Sequence, residues 1–378
     1  MGAYLAFCLW ATVLFFIVWG TRLTLRQLTK KPPFLDAPFA LSPVSILKPM
    51  KGLDPEYKTN LQSVFELDYP SYEILFSVAD PADPIIPHLQ HMQARYPKIH
   101  SRIFIGETEI GPNPKINNLV QIYNAAQYDW LFINDSNTFL QTSELRRMMG
   151  YVDSSTGVIT SLVAGKNAHG LGGNLESLTL NSHVSRGMCL AFALGTPIVL
   201  GKAMLFRKSM ANRFGGMETL ARYLNEDYMT GEGMRMLGLK IILAGDPIAQ
   251  PIGRISLKAY WQRQLRWGRI RKAQLRVKYL IEFLSQPFVS FLFLLPFFDN
   301  FGVGLGLSAI HWLTWWFCDW KLQSKIGSSM TPLNHFSFWI LRELLQIPLW
   351  WHSACGNTVY WRGRKLRVLP GGTLESAG

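Results

Sequence analysis

Two stretches of this sequence read as strands that run into an aspartate. Tyr72-Glu-Ile-Leu-Phe-Ser-Val-Ala leads to Asp80, and Trp130-Leu-Phe-Ile-Asn134 leads to Asp135, followed by Ser136 and Asn137. Open α/β sheets bind ligands at the carboxyl ends of their strands, so both acids stand where a ligand would lie. The plain alternative is that each caps the turn behind it. Asp135 and Asn137 alternate, which lets both side chains face one way. A carboxylate and an amide oxygen so placed suit Mg²⁺ or Mn²⁺, hard cations that also take phosphate oxygens. Lys115, in Asn113-Pro-Lys-Ile-Asn-Asn118, stands at a loop-to-helix start. A cation beside helix N-terminal amides suits a diphosphate, although an ordinary surface lysine reads the same way. Asp227, in Asn225-Glu-Asp-Tyr228, falls inside a helical pattern. It is either half of a solvated acidic pair or a general base for an acceptor hydroxyl. Arg263-Gln-Leu-Arg266-Trp267 sets two guanidiniums and an indole at i, i+3 and i+4, on one helical face. Such a face can hold a departing diphosphate and flank a sugar or lipid, whereas a helix that merely anchors to a membrane surface shares the pattern.

The elements that must position these groups alternate between short β-rich runs and helical patterns. Strands are expected at 44–47, 72–79, 102–105, 129–134, 158–163 and 203–206, and helices near 56–65, 85–94, 115–127 and 218–237. This order predicts an α/β sheet with helices on both faces. There is no internal repeat and no low-complexity tract.

Both ends of the chain are of different composition. Ala3 to Gly20 is apolar and uncharged, about the length that spans a bilayer. Its positive charges (Arg22, Arg26, Lys30, Lys31) follow it, which predicts a retained anchor over 1–21 with the next residues in the cytosol. Residues 256–278 mix Tyr260, Trp261 and Trp267 with many basic residues and predict an interfacial amphipathic helix. Residues 279–320 hold two apolar segments separated by Asp299-Asn300 and predict a transmembrane hairpin. The third apolar segment, 336–351, carries Arg342, Glu343 and Pro348, which makes it re-entrant or interfacial within a membrane-associated stretch and basic tail at 334–378. The net charge of +13 gathers beside these apolar segments, the distribution of a membrane surface and not of a nucleic-acid binder. Four scattered cysteines form no CxxC pair, which argues against a zinc site and a disulfide framework and places the domain at 35–255 in a reducing compartment.

Taken together, Asp80, Asp135, Asp227 and Arg263-xx-Arg266-Trp267 resemble the D, D, D, (Q/R)xxRW series of inverting, processive-type and related glycosyltransferases. The closer likeness is to the ceramide glucosyltransferase family, with bacterial hopanoid-pathway glycosyltransferases similar in the same way. It extends to Ser45-Ile-Leu-Lys-Pro-Met-Lys-Gly52, Asn113-Pro-Lys-Ile-Asn-Asn-Leu119, Glu226-Asp-Tyr228, Arg342-Glu343 and Trp361-Arg-Gly363. The resemblance implies a GT-A nucleotide-sugar domain, a UDP-sugar donor, a divalent metal and inversion. It implies donor contacts from Lys48, Asp80, Lys115, Asp135, Arg263, Arg266 and Trp267, metal ligation by Asp135 and Asn137, and Asp227 as base. Asn137 stands where many such enzymes carry a second aspartate. His183 and Trp267 are acceptor candidates, although His183 also reads as a structural histidine. The expected activity is transfer of one sugar to a membrane lipid, with ceramide and glucose first. A different lipid such as a hopanoid, a processive polysaccharide synthase, and an inactive nucleotide-binding scaffold are the alternatives. The expected location is a multi-pass membrane protein with a cytosolic catalytic domain, in the inner membrane of a bacterium or a Golgi-type membrane of a eukaryote.

Overall fold

In the computed structural model, residues 2–35, 41–327, 330–361 and 363–376 are described; Arg362 of the basic tail lies outside them. The chain begins with helix α1 (Gly2–Gln27). There follow β1 (Val44–Met50), α2 (Tyr57–Phe65), β2 (Tyr72–Val78), α3 (Ile86–Arg95), β3 (Ser101–Ile105), α4 (Pro114–Ala125), β4 (Trp130–Asn134), α5 (Glu144–Met149), β5 (Thr156–Thr160) and β6 (Val163–His169). A helical stretch of α6 (Gly170–Leu178), one π-turn (Thr179–Val184) and α7 (Ser185–Ala193) interrupts the strands. Then come β7 (Ala203–Arg207), α8 (Lys208–Arg213), α9 (Gly216–Leu220), α10 (Glu226–Met236), β8 (Lys240–Leu243) and β9 (Ile248–Arg254).

Seven strands form one sheet in the order β3-β2-β1-β4-β7-β5-β8. β7 is antiparallel to both of its neighbours, and the other pairs are parallel. Strand side chains alternate between faces, and the two cores follow that period. Ile74, Phe76 and Phe132 bury against α2 and α3, while Leu75, Leu131 and Ile133 bury against α4 and α10. Pro49 is tolerated in this central strand because pairing of β1 with β4 ends at Leu47↔Ile133. Asp80 and Asp135 therefore emerge at the same carboxyl edge, from the parallel strands on either side of β1.

Several expected elements differ. The run 158–163 is two strands, because β6 leaves the sheet and pairs with β9. The helix expected over 218–237 breaks at 221–225, where Leu224 N–H donates to Gly372 O and Tyr223 bridges to Thr373. Asp227 thus sits in the first turn of α10 and not in a helix interior.

The C-terminal part continues with α11 (Leu257–Gln274), α12 (Arg276–Leu284), α13 (Pro287–Phe291), a 3₁₀ turn (Leu292–Phe297), α14 (Phe301–Ile326) and α15 (Pro332–Ala354). A three-stranded antiparallel sheet, β10 (Thr358–Trp361), β11 (Arg364–Val368) and β12 (Leu374–Ser376), ends the chain. The segment expected to run straight over 279–298 bends by 62° between α12 and the 287–297 segment. Pro287 starts the second piece, and Pro296 prevents a regular α-helix there. Among the described residues, α1 alone is long and apolar enough to cross a membrane; the bent pair adds a second if taken as one span.

Candidate functional site

A cavity of about 870 Å³ opens at the carboxyl edge of the sheet. Its polar end gathers Lys115, Asp135, Asn137, Glu226, Asp227 and Arg263. Each arrives from a separate element. Asn113 caps α4, accepting from the backbone N–H of Lys115 (2.8 Å) and Ile116 (3.2 Å), so Lys115 opens the helix facing β4. Its Nζ bridges Asp135 Oδ1 (2.9 Å) and Glu226 Oε1 (2.8 Å). Burial alone would lower this ammonium, but Asp135 and Glu226 outweigh it and hold the pKa above the usual lysine range.

Asp227 is held by the backbone. Oδ2 accepts from Gly201 N–H (2.7 Å) and Oδ1 from Tyr228 N–H (2.8 Å). Desolvation and then the adjacent Glu226 raise its pKa to about 6, while Lys115 and the two peptide N–H groups oppose them. Gly201 keeps this spot open: a Cβ would lie 3.1 Å from both Asp227 Oδ2 and Lys115 Nζ, tighter than an ordinary contact.

Lys202, next in the chain, places Nζ 3.2 Å from Asp135 Oδ2 and 2.8 Å from Asn137 Oδ1. The two oxygens expected to bind a metal thus face the cleft with an ammonium already on them. Nothing in the sequence flagged Lys202, Gly201 or Glu176. Glu176, fully buried on α6, accepts from Arg263 (2.8 Å) and Gln264 (3.0 Å) and so fixes the rotation of α11. Arg263, Arg266 and Trp267 all line the cavity, and Arg266 stacks on Trp361 at 5.6 Å.

Two residues expected to contact the donor lie outside this cavity. Lys48 is fully buried and lines neither cavity; its Nζ donates to Asn134 Oδ1 (2.5 Å) and the Asp135 carbonyl (3.0 Å), bracing the end of β4 from behind. Asp80 lines a second cavity, of about 400 Å³, with Lys51, Asp83, Glu107, Asn118 and Arg364. There it also accepts from Ala82 N–H (2.8 Å), the turn cap that its position allowed. Lys51 lines both cavities, so the two adjoin.

Away from Lys115 and Asp227, the apolar side chains of Ile17 of α1, Leu180, Val184, Leu190, Ile281 and Trp315 line the larger cavity, with Arg186 and the Arg342–Glu343 pair among them. His183 faces the cavity beside Glu282 and Arg271, and desolvation lowers its pKa to about 4. The site therefore offers a carboxylate able to accept a proton, cations and oxygens suited to a nucleoside diphosphate, and an apolar extension in one continuous space.

The comparisons with known proteins agree in kind. The chain is 28% identical over 347 residues to ceramide glucosyltransferase 3 of Caenorhabditis elegans, covering 89% of this chain and 74% of that one. It is 27% identical over 458 aligned positions to the ceramide glucosyltransferase of Komagataella phaffii, covering 95% and 89%. Among solved structures, the Pyrobaculum calidifontis mannosyltransferase PcManGT, in complex with GDP-Man and Mn²⁺, superposes with a TM-score of 0.52 at 14% identity over 94% of this chain and 96% of that one, a likeness of fold. The sheet domain is thus of the GT-A kind. The sequence profile of glycosyl transferase family 21 matches residues 6–374, from α1 through the sheet and the cleft to the last strand, and the chain belongs to that family.

Proposed function

We propose that this glycosyltransferase moves one glucose from UDP-glucose to the primary hydroxyl of a ceramide-like lipid, with inversion at the anomeric carbon. The observation that carries this reading is the single cavity with a charged end at Lys115, Asp135 and Asp227 and an apolar end at Ile17, Leu180 and Trp315. A sugar nucleotide suits the first and acyl chains suit the second. The names of the relatives, ceramide glucosyltransferases, support the same acceptor.

In this reading, Asp227 accepts the hydroxyl proton as the new oxygen–carbon bond forms, and the bond from the anomeric carbon to the diphosphate breaks. One displacement by one base gives inversion without a covalent intermediate. Glu226 holds Lys115 at the cleft, and Arg263 and Arg266 face the diphosphate. Asp135 and Asn137 fit a divalent cation: Mg²⁺ usually takes one or two protein ligands, with phosphates and water completing its shell. Such an ion, when bound, supplies charge neutralisation to the leaving diphosphate. Its charge would add to that of Arg263 and Arg266, since Lys115 and Lys202 are already paired with Asp135 and Glu226.

The membrane supplies the acceptor. Tyr4, Leu5 and Phe15 on α1 and Phe301, Leu305 and Leu313 on α14 are exposed apolar side chains that lipid would cover. With the basic residues after α1, this seats the catalytic domain on the cytosolic face. Incubation with radiolabelled UDP-glucose and a membrane lipid extract tests the whole reading. The expected product partitions into organic solvent and is one hexose heavier than a ceramide by mass spectrometry. An insoluble polymer, or no transfer to any lipid, would overturn it.

A further inference from the structure

The C-terminal sheet reaches the smaller cavity through Arg364. The C-terminal sheet is fastened to the catalytic domain by Leu224 N–H donating to Gly372 O (3.1 Å) and Leu374 N–H to Arg222 O (2.8 Å). Leu224 also packs with Val359, Leu366, Val368 and Leu374 in one apolar cluster. From this platform the β10–β11 hairpin turns at Gly363 (φ 84°), and its two flanking residues, Trp361 and Arg364, are cross-strand partners. Trp361 lines the large cavity and meets Arg266 there. Arg364 lines the small one, paired with Glu107 and lying 3.6 Å from Glu109.

That small cavity has the chemistry of a pyrimidine nucleoside. Uracil presents one N–H donor between two carbonyl acceptors. The Asp80 carboxylate can accept from the N–H. So can Asn118 Oδ1, which is buried in the cavity wall with no protein partner. The carbonyls need donors, and a guanidinium presents five N–H groups in a planar fork, whereas Lys51 presents a point charge. Lys51 lies where the two cavities meet, on the side from which a diphosphate would run to Lys115.

We propose that Arg364 is a nucleoside-binding residue, which closes the uridine pocket opposite Asp80 and makes the C-terminal hairpin part of the donor site. This rests on the UDP-sugar reading above. The ion pair with Glu107 sets the position of the guanidinium, and Trp361 on the facing strand keeps the same hairpin in register with Arg266.

The test is equilibrium binding of UDP and of uridine to the full-length protein in detergent micelles, for wild type, Arg364→Ala and Arg364→Lys, with thermal unfolding as the control for folding. Arg364→Ala should weaken both ligands about 10-fold, the scale of a hydrogen bond to a charged group, with the KM for lipid acceptor unchanged. Arg364 is more than one-third exposed, so the unfolding midpoint should stay at the wild-type value. Arg364→Lys keeps the charge and the tether to Glu107 but lacks the fork, and should stay weak. Unchanged affinity in Arg364→Ala would overturn the proposal. So would a loss confined to UDP, which would move the contact to the phosphates, or full recovery of uridine binding by lysine, which would reduce Arg364 to a tether. Failure of the wild type to bind UDP would instead overturn the donor reading.

Discussion

Replacing Asp227 by asparagine separates proton acceptance from donor binding. The side chain keeps its shape and loses its charge. One of its two backbone hydrogen bonds, to Gly201 N–H or Tyr228 N–H, must also fail, because an amide has one acceptor oxygen and its NH₂ would face a donor. That local mismatch costs about 1–3 kcal/mol, within the roughly 5–15 kcal/mol stability of a typical domain, so the protein should fold. The reaction loses its base, typically worth about 10²–10⁴ in rate. UDP affinity should not fall below normal, since the substitution removes a negative charge from beside the proposed diphosphate position. Turnover with labelled UDP-glucose and calorimetric titration of UDP measure the two quantities separately. The pH profile adds a check whose sign is fixed. Only the ionised carboxylate accepts a proton, and in the free enzyme its pKa is raised to about 6. Wild-type kcat/KM should therefore hold above that pH and fall as pH drops through about 6, and this acid limb should vanish in Asp227→Asn. If the variant keeps more than about a tenth of wild-type turnover, far above a typical base loss, the base is another residue, and Glu226 is the next to replace.

The remaining expectations are shorter. Arg266→Ala should weaken both UDP affinity and turnover if, as proposed, Arg266, positioned on Trp361, faces the diphosphate; a loss of turnover alone would contradict that. Chelation by excess EDTA should abolish transfer, and Asp135→Ala should be inactive yet folded, as monitored by circular dichroism; full activity in EDTA would exclude a metal requirement. The terminal sheet is bonded to the catalytic domain through Leu374 and Arg222, so both lie on one side of the membrane. Ser376→Cys, in a chain whose Cys8 and Cys355 are serine, should react with an impermeant maleimide only after cells are opened, and labelling of intact cells would place the tail outside.

Much of the sheet was legible because β1, β2, β4 and β7 are short apolar runs that end at punctuating residues. Two parallel strands ending in aspartate also pointed to the edge where the cavity lies. The rest was hidden for identifiable reasons. The break before Asp227 depends on Gly372, nearly 150 residues later, so no local pattern records it. Lys202 and Glu176 sit in ordinary sequence and acquire meaning only across the cleft. The alternation of Thr358-Val-Tyr-Trp361 and Arg364-Lys-Leu-Arg-Val368 did signal strands, but the stretch was read by its charge as a basic tail. Length and apolarity over 279–298 suggested one span, and Pro287 and Pro296 were the warning against it.

The first helix shows how far membrane and catalytic parts share one structure. The composition of α1 predicts a retained membrane anchor, and its contacts are also those of a wall. Gln27 donates to the carbonyls of Leu243 (2.7 Å) and Ala244 (3.1 Å) at the far edge of the sheet. Gly20 lets Arg186 of α7 approach so closely that a Cβ would meet its Cγ at 2.7 Å. Arg186 in turn pairs with Asp319 of α14 (2.6 Å), and Trp10 donates to His311 of the same helix (3.1 Å). Ile17, packed with Leu178 and Trp315, faces the apolar end of the cavity. A buried ion pair such as Arg186–Asp319, which Arg342 of α15 also joins, contributes little net stability, but removing Asp319 strands Arg186, so the cluster fixes which helices meet. The same turn of α1 thus touches the protein that shapes the cleft and the helices that shape the acyl-chain end. In the proposed reading, an acceptor lying along that wall brings its hydroxyl toward Asp227 while its chains stay among the membrane-facing helices, and α1 sets the depth at which the reaction occurs.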